Sequence, residues 1–259
     1  MYELRYVAFI DLLGFKGKVY NSISDGNEYD KLQRVLNYIY NLKIEGEKDP
    51  YSLKQIGKEF SMFSDSIVIS YPANGYENAF NILLDIAHIC LDILNFGYIF
   101  RGGIAMDYLY HKDAVCFGPA MNIAVDMEKQ AKFPRIIIAR NVLENAMRYP
   151  GKANNSQMEA DHLRYLVKFD DNKFFNEKYN PEWILNYLSL FEEMDNEYVF
   201  TIFLSKTREL INKEYHKAGC IPDYCKRKNI QDKYIWFANY FNDIVSGILR
   251  DYSNYIINL

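Results

Sequence analysis

The sequence predicts an α+β protein built on a βαββαβ sheet with helices on one face, followed by a C-terminal helical appendage. Three observations lead to this fold class. Apolar, β-branched runs alternate with segments of helical periodicity; a turn at Ser64-Asp65 divides "KEFSMFSDSIVISY" into two strands; and only helical patterns follow residue 178. We therefore expect two parts, a sheet domain over residues 1–178 and a helical region over residues 179–259.

The predicted elements follow in order along the chain. The run "RYVAFIDLL" is a buried strand, and helices follow it near residues 14–22 and 29–43. After the hairpin, apolar residues recur every three or four positions from Asn78 to Phe96, and Gly97 ends this helix. Next come the strands "YIFRGGIAM" and "AVCF", a helix from about Ala120 to Lys132, the strand "RIIIA" and another helix. A second hairpin is expected from "LRYLVKF" and "KFFNEK".

The C-terminal region is predicted to form helices near residues 182–194, 197–217 and 231–258. The last helix carries a broad apolar stripe, which must be buried either on the sheet or on a second copy of the chain. The stripe contains Phe237, Phe241, Ile244, Ile248 and Tyr252. The basic stretch "CKRKNIQDK" before it is expected to be a solvated loop.

Composition narrows the classes of function. The 259 residues are 49% hydrophobic, enough for one sizeable core, and the formal charge of −4 offers no basic field for nucleic acid. With no signal-peptide pattern and no apolar run of membrane-spanning length, we expect a cytoplasmic protein that binds neither nucleic acid nor membrane. The four cysteines are expected to be reduced. A zinc site from His216, Cys220 and Cys225 is less favoured than a loop with incidental thiols.

The predicted topology brings two acids together. In a βαββαβ sheet the first strand runs antiparallel to the second strand of the hairpin, so the end of one neighbours the start of the other. Asp11 ends the first strand and Asp65 begins its neighbour, while Gly14 opens a helix beside them. Two carboxylates can hold divalent ions, and the free amides of a helix start can bind phosphate. The sequence thus predicts a site for a metal-bound nucleoside triphosphate, although Asp11 alone could equally be a helix cap.

These residues resemble the class III nucleotidyl cyclases, whose catalytic domain has a palm-like, ferredoxin-like sheet. The resemblance spans about residues 5 to 178, with "SDS" standing for the family's "GDS" hairpin. The segment "FGPAMNIAVDMEKQAKFPRIII" also resembles the family's run into the next strand. The other matching positions are Phe9, Asp11, Gly14 and Phe15 of "FxDxxGF", and Arg101, Gly103 and Ile104 of "RxGI".

The resemblance implies a set of roles. Asp11 and Asp65 would hold two divalent cations, Mg²⁺ or Mn²⁺, and Leu12, Gly14 and Phe15 would contact the nucleotide. In the family the metal-binding acids come from one subunit and a helix asparagine from the other, which implies a homodimer with shared active sites. Asn122 occupies the position of that catalytic asparagine.

The chain departs from the family at the catalytic arginine, which is expected four residues after the asparagine. Asp126 stands there instead, and Lys129, one further turn along the same helix face, is the nearest candidate to take over the role. The family's glycine-arginine pair after the "GI" strand is replaced by Asp107 and Tyr108. The contacts to the triphosphate are therefore predicted to differ from those of the family.

The base-reading positions differ too. Ser61 stands where adenylyl cyclases carry a lysine, and Val115 where they carry an aspartate. This departs from adenine recognition and resembles the bacterial pyrimidine cyclases of anti-phage signalling, whose cyclic UMP or cyclic CMP activates a separate effector protein. We expect a nucleotidyl cyclase acting on UTP or CTP. The alternatives are a cyclase-like module that binds nucleotide without turnover, and a helical scaffold protein that binds none.

Overall fold

The computed structural model describes residues 1–48, 56–152, 154–171, 182–193, 196–248 and 252–259. The strands are β1 (Glu3–Leu12), β2 (Glu59–Phe63), β3 (Ser66–Pro72), β4 (Phe100–Lys112), β5 (Val115–Phe117), β6 (Ile136–Ile138), β7 (Val167–Asp170) and β8 (Glu182–Leu185). The helices are α1 (Phe15–Ser22), α2 (Gly26–Lys48), α3 (Asn78–Asn95), α4 (Pro119–Ala131), α5 (Arg140–Arg148), α6 (Ser156–Leu166), α7 (Glu197–Gly219) and α8 (Tyr224–Gly247). Short 3₁₀ helices cover Tyr187–Glu193 and Ser253–Tyr255.

The strands form one mixed sheet in the order β2-β3-β1-β4-β6-β8-β7, with β5 paired to β4. β1 lies in the middle and pairs antiparallel with both β3 and β4, so that Asp11 stands opposite Ser66 on one side and Arg101 on the other. The predicted α+β class and the βαββαβ connectivity from β1 to β4 are confirmed. β4 is longer than the predicted strand, because it continues into a hairpin arm with β5.

The two faces of the sheet are covered by different helices. On one face, Tyr6, Ala8 and Ile10 of β1 join the main core together with buried residues of α2 and α3, as predicted for the βαββαβ unit. On the other face, Val7 packs with Ala120 and Ala124 of α4 in a second, smaller core. Successive residues of a strand point to opposite faces, and burial on both explains why β1 is an almost unbroken apolar run. Asp11 falls on the α4 face.

A glycine allows α4 to approach the sheet closely. A Cβ atom on Gly103 of β4 would lie 2.5 Å from the Cβ of Met127 and 2.7 Å from the carbonyl oxygen of Ala124. Such distances are too short for real side chains, so the helix packs directly against the strand backbone at this point. This contact fixes where α4 lies over β1 and β4.

The C-terminal helices belong to the same body as the sheet. Trp236 of α8 stacks on Phe133 with ring centroids 5.9 Å apart, and its indole N–H donates to the Asp170 carboxylate at 2.9 Å. The buried guanidinium of Arg135 binds that same carboxylate at 2.6 Å. Phe237 and Phe241 of the predicted apolar stripe are fully buried in the main core. The stripe is therefore buried within its own chain rather than on a second copy.

Several predicted boundaries after β6 are wrong. Residues 163–166 of "LRYLVKF" end a helix, and β7 pairs with β8, which was expected to be helical. The expected strand "KFFNEK" lies outside the described residues. The last long helix spans Tyr224–Gly247 rather than 231–258, so the basic stretch lies inside it. The division of the chain at residue 178 stays a prediction. β8, which follows that boundary, belongs to the same sheet as the strands that precede it.

No helix among the described residues is long and apolar enough to cross a membrane.

Gly103→Ala should destabilise the protein by about 1–3 kcal/mol, because the added methyl group forces α4 away from β4. Gly26→Ala in α2 is the matched control: a Cβ there meets no atom within 4 Å. The control should keep or slightly raise the free energy of unfolding. Urea unfolding of the two variants and the wild type measures this difference, and equal stability of Gly103→Ala and wild type would contradict the packing described.

Candidate active site

Two carboxylates meet at one edge of the sheet, where β1 ends and the β2–β3 hairpin turns. Asp11 pairs in register with Ser66, the first residue of β3. Asp65 is the second residue of the two-residue turn that precedes Ser66, and its carbonyl oxygen accepts a hydrogen bond of 3.3 Å from the N–H of Leu12. The structure thus brings Asp11 and Asp65 together as the topology predicts. Their binding of metal stays a prediction.

The charge on Asp11 is only partly compensated. The Ser66 hydroxyl donates to its carboxylate at 3.3 Å, and a guanidinium nitrogen of Arg101 lies 3.9 Å away. Arg101 also forms an ion pair with Glu128 of α4, which is buried. Burial first, and then the charges of Asp65 and Glu128, raise the pKa of Asp11 to about 6, against the opposing influence of Arg101 and Ser66. This edge therefore carries more negative charge than its one arginine balances.

Such a surplus of carboxylate charge fits divalent cations. Mg²⁺ is usually held by one or two carboxylates together with phosphate oxygens and water. Among the described residues, no three His, Cys, Asp or Glu side chains lie together as a metal site. The alternative zinc site of His216, Cys220 and Cys225 is thus wrong, and ions at Asp11 and Asp65 would need ligands from the backbone, a nucleotide or water.

The chain turns sharply after Asp11 into α1. Leu12 is buried, with its N–H engaged by Asp65, and the N–H of Leu13 donates to the carbonyl of Ile99 at 2.8 Å. Gly14 has a φ of 76°, in the left-handed region that glycine enters most easily. Phe15 begins α1 and packs partly buried against the main core. Because the first N–H groups of a helix have no partner within it, the turn presents donors beside the acids.

The predicted catalytic residues of α4 lie on its outer face. Gly118, at the start of α4, approaches Leu109, whereas Glu128 near its end pairs with Arg101, so the helix runs antiparallel to β4. Asn122 is exposed and lies six residues before Glu128, roughly 9 Å along the axis and toward the β4–β5 arm. The structure does not bring Asn122 to the acids of its own chain.

Lys129 is also turned away from the acids. Its ammonium lies 3.3 Å from the carboxylate of Asp126, and the two side chains are 65% and 67% exposed. Asp126, which stands in the position of the family's arginine, therefore pairs with Lys129, the lysine predicted to take over the role of that arginine. An exposed pair of this kind contributes little to stability.

The predicted base-reading residues lie far from solvent in one case and on the surface in the other. Ser61 is buried, and its hydroxyl contacts the His111 ring at 2.8 Å and donates to the carbonyl of Asp113 at 2.7 Å. The other ring nitrogen of His111 contacts Ser70 at 2.8 Å. A base could bind the Ser61 hydroxyl only if these contacts were given up. Val115 is 55% exposed on β5. Both roles stay predictions.

A lysine-rich cleft beside the acid edge was not found from the sequence. The cleft has a volume of about 780 Å³ and lies between the β1–α1 turn and the helices α7 and α8. Five lysines and two glutamates line it, a local excess of positive charge in a chain of net charge −4. The charged lining residues are Lys16, Lys18, Lys217, Lys226, Lys233, Glu28 and Glu214.

The basic stretch that was expected to be a solvated loop supplies part of this lining. Lys226 and Lys233 both lie in α8, seven residues apart, and therefore share one face of the helix. The seven-residue spacing indicates this face only if α8 begins near Tyr224, whereas the sequence predicts a start near residue 231. The turn between α7 and α8 brings this face back toward α1.

Comparisons with known proteins found similarity to solved structures only. No protein-family model matches the chain, and no curated protein is similar in sequence. The adenylyl cyclase CyaB from P. aeruginosa superposes with a TM-score of 0.48 at 12% identity, covering 71% of this chain and 94% of that structure. An adenylate/guanylate cyclase/hydrolase from Silicibacter pomeroyi gives 0.44 at 17% identity, covering 71% and 97%.

A third solved structure is the catalytic core of a rhodopsin-guanylyl cyclase with converted specificity, in complex with ATPαS. It gives a TM-score of 0.43 at 17% identity and covers 71% of this chain and 96% of that one. The names of all three structures are those of adenylyl or guanylyl cyclases, and all three superpositions have TM-scores below 0.5.

Asp11→Asn should stabilise the metal-free protein at neutral pH and have a smaller effect in acid. A carboxyl group whose pKa rises on folding contributes stability below its unfolded pKa of about 4, and that contribution is lost as the pH rises through about 6. The amide has no charge to lose. Thermal unfolding in EDTA should show a gain in Tm over the wild type that grows from about pH 4.5 to about pH 7.5.

The exposed Asp30 of α2 provides the control, since Asp30→Asn should show no such trend. A gain in Tm for Asp11→Asn that shrinks as the pH rises would contradict the charge balance described for the acid edge.

Proposed function

We propose that this protein is a nucleotidyl cyclase, which converts a ribonucleoside triphosphate to a 3′,5′-cyclic monophosphate and pyrophosphate. The observation that carries the proposal is the pair Asp11 and Asp65, held at one sheet edge with unbalanced negative charge. A lysine-lined cleft of about 780 Å³ opens next to that edge, and its volume is within the range of ligand-binding pockets. Acids for metal ions and cations for phosphate thus lie side by side.

The residues of the acid edge have distinct roles in this proposal. Asp11 and Asp65 would hold two divalent cations, Mg²⁺ or Mn²⁺, whose charge lowers the pKa of the attacking 3′-hydroxyl and draws the triphosphate to the edge. The turn at Gly14 and Phe15 would offer backbone N–H groups to phosphate oxygens. Arg101 would keep its bond to Glu128 and so hold the Asp11 side of the site in place.

The proposed base is a pyrimidine, UTP or CTP. Support comes from the residue types at the two base-reading positions. Ser61 and Val115 stand where adenylyl cyclases carry a lysine and an aspartate, so the residues that usually read adenine are absent at both. We extend the proposal to a cyclic pyrimidine nucleotide that serves as an anti-phage second messenger, read by a separate effector protein. This extension is supported by the sequence resemblance alone.

A second candidate function is nucleotide binding without turnover. It is favoured by one observation on α4, where the lysine predicted to replace the missing arginine, Lys129, is paired with Asp126. A module of this kind would keep metal-dependent binding at Asp11 and Asp65. It would release no pyrophosphate.

The proposed active form is a homodimer with shared sites. Asn122 is exposed and lies away from the acids of its own chain, so a complete site requires the asparagine of a second copy. Exposed apolar side chains surround this part of the molecule, on the β4–β5 arm, the N-terminus and α4. They are Tyr2, Tyr108, Val115, Phe117 and Ile123. A patch of this composition is typical of a protein interface.

The proposal predicts that the pure protein, given an equimolar mixture of the four ribonucleoside triphosphates and Mn²⁺, forms cyclic UMP or cyclic CMP with release of pyrophosphate. Asp65→Asn should lower the rate at least about 10²-fold, because a lost metal carboxylate should cost no less than one transition-state donor. Asp30→Asn, an exposed acid on α2, should leave the rate unchanged.

Mass spectrometry of the products measures both effects. A dominant cyclic AMP or cyclic GMP peak would overturn the pyrimidine proposal while keeping the cyclase. Full activity of Asp65→Asn would overturn the site, and metal-dependent binding without any cyclic product would select the second candidate.

Shared sites make a separate prediction about mixtures of inactive chains. Asp65→Asn and Asn122→Ala should each be inactive alone. In an equimolar mixture about half of the dimers are mixed, and each mixed dimer has one intact site of two, so up to about a quarter of the wild-type activity should be recovered. Mixing Asp65→Asn with Asp11→Asn is the control, because both lesions fall in the same half-site and no recovery is expected. Absence of recovery in the first mixture, or a monomer by light scattering, would contradict the shared site.

A further inference from the structure

Lys233 is a half-buried cation in the inner part of the lysine-rich cleft. It lies in the middle of α8 and lines the cleft opposite Leu13 and Gly14 of the β1–α1 turn. Burial and the nearby guanidinium of Arg101 both lower the pKa of Lys233, and no carboxylate offsets them. Within the described part of the chain its ammonium forms no ion pair and no hydrogen bond. A cation in this position lacks an anion.

The other cations of the cleft differ from Lys233 in their surroundings. Lys18 lies over the ring of Tyr98, 4.3 Å from its centroid, and feels the charges of Glu28 and Glu214. The remaining three, Lys16, Lys217 and Lys226, are exposed at the rim. Lys233 is thus the inner cation without an acidic neighbour, and the rim lysines add long-range attraction for an anion.

The inner end of the cleft adjoins the acid edge. The charge of Arg101 is close enough to Lys233 to lower the pKa of the lysine. A guanidinium nitrogen of Arg101 in turn lies 3.9 Å from the carboxylate of Asp11. Leu13 and Gly14, which follow Asp11 directly, form the wall between the two regions. A ligand with one phosphate at the acids would therefore extend its remaining phosphates past Gly14 toward Lys233.

The position of Lys233 is fixed by the packing of α8. Trp236, one turn further along the helix, stacks on Phe133 and donates to Asp170. Because Asp170 also binds the buried Arg135 next to β6, the helix is tied to the sheet. The backbone that carries Lys233 is thus fixed before a ligand binds, so only its side chain loses freedom on binding.

We propose that Lys233 binds the phosphate chain of the nucleotide, and that α7 and α8 close the phosphate site of the same chain from outside the sheet domain. The inference rests on the proposed function for the identity of its ligand, a nucleoside triphosphate or the pyrophosphate released from it. It gives the C-terminal helices a direct part in the site. It also supplies a phosphate-binding cation to a chain that carries Asp126 in place of an arginine.

Binding of inorganic tripolyphosphate in EDTA tests this site without any need for turnover. The wild-type protein should bind it in isothermal titration calorimetry, Lys233→Met should bind about tenfold more weakly, and Lys233→Arg should retain most of the affinity. Lys213→Met, an exposed lysine of α7 that does not line the cleft, is the matched control and should bind as the wild type does. The Tm of Lys233→Met should equal or exceed that of the wild type, since the variant no longer buries a charge.

Failure of the wild type to bind, equal binding by Lys233→Met, or an equal loss in Lys213→Met would overturn the proposal. A lower Tm together with a loss that Lys233→Arg does not restore would assign Lys233 a structural role instead and would also overturn it. The outcome is separate from that of the cyclase assay. The expected binding pattern in a protein that makes no cyclic nucleotide would uphold the phosphate site while the proposed function fails.

Discussion

The pairing of β1 with both β3 and β4 forces the carboxylate of Asp11 into a half-buried position, and the rest of the site depends on this constraint. The turn before β3 adds Asp65, α4 adds Glu128, and the guanidinium of Arg101 opposes them. An apolar residue at position 11 would cost less to bury than this carboxylate does. Burial, together with the charges of Asp65 and Glu128, raises the pKa of Asp11 to about 6, so its negative charge is disfavoured in the metal-free protein.

Charge is segregated across this end of the molecule. Three acids gather at the sheet edge, while five lysines and two glutamates line the adjoining cleft. A nucleoside triphosphate with bound divalent cations has the complementary order, because its metal ions lie at one end of the polyphosphate and bare phosphate oxygens at the other. In the proposed site, α8 would complete this match, since it carries the inner lysine, Lys233. In the proposed dimer, the α4 face with Asn122 would serve the site of a second copy.

The sequence predicts the parts of this protein that are set by local pattern. Alternation, turns and helical period identified β1, the Ser64-Asp65 hairpin, α3 and α4, and the known geometry of a βαββαβ sheet then brought Asp11 to Asp65. What could not be predicted depends on long-range packing. The first turns of α8 are polar and give no apolar period, and the cleft is lined by residues far apart in sequence, from Leu13 to Tyr234. The contacts of Ser61 likewise involve His111, fifty residues away in sequence.

A crystal structure with Mn²⁺ and the 3′-deoxy analogues of UTP and ATP, which lack the attacking hydroxyl, tests the central claim most directly. The account predicts anomalous scattering peaks from Mn²⁺ between Asp11 and Asp65, with the triphosphate running past Gly14 and its terminal phosphates within hydrogen-bond reach of Lys233. Manganese bound elsewhere, or a triphosphate that enters the structure without touching the acid edge, would contradict it.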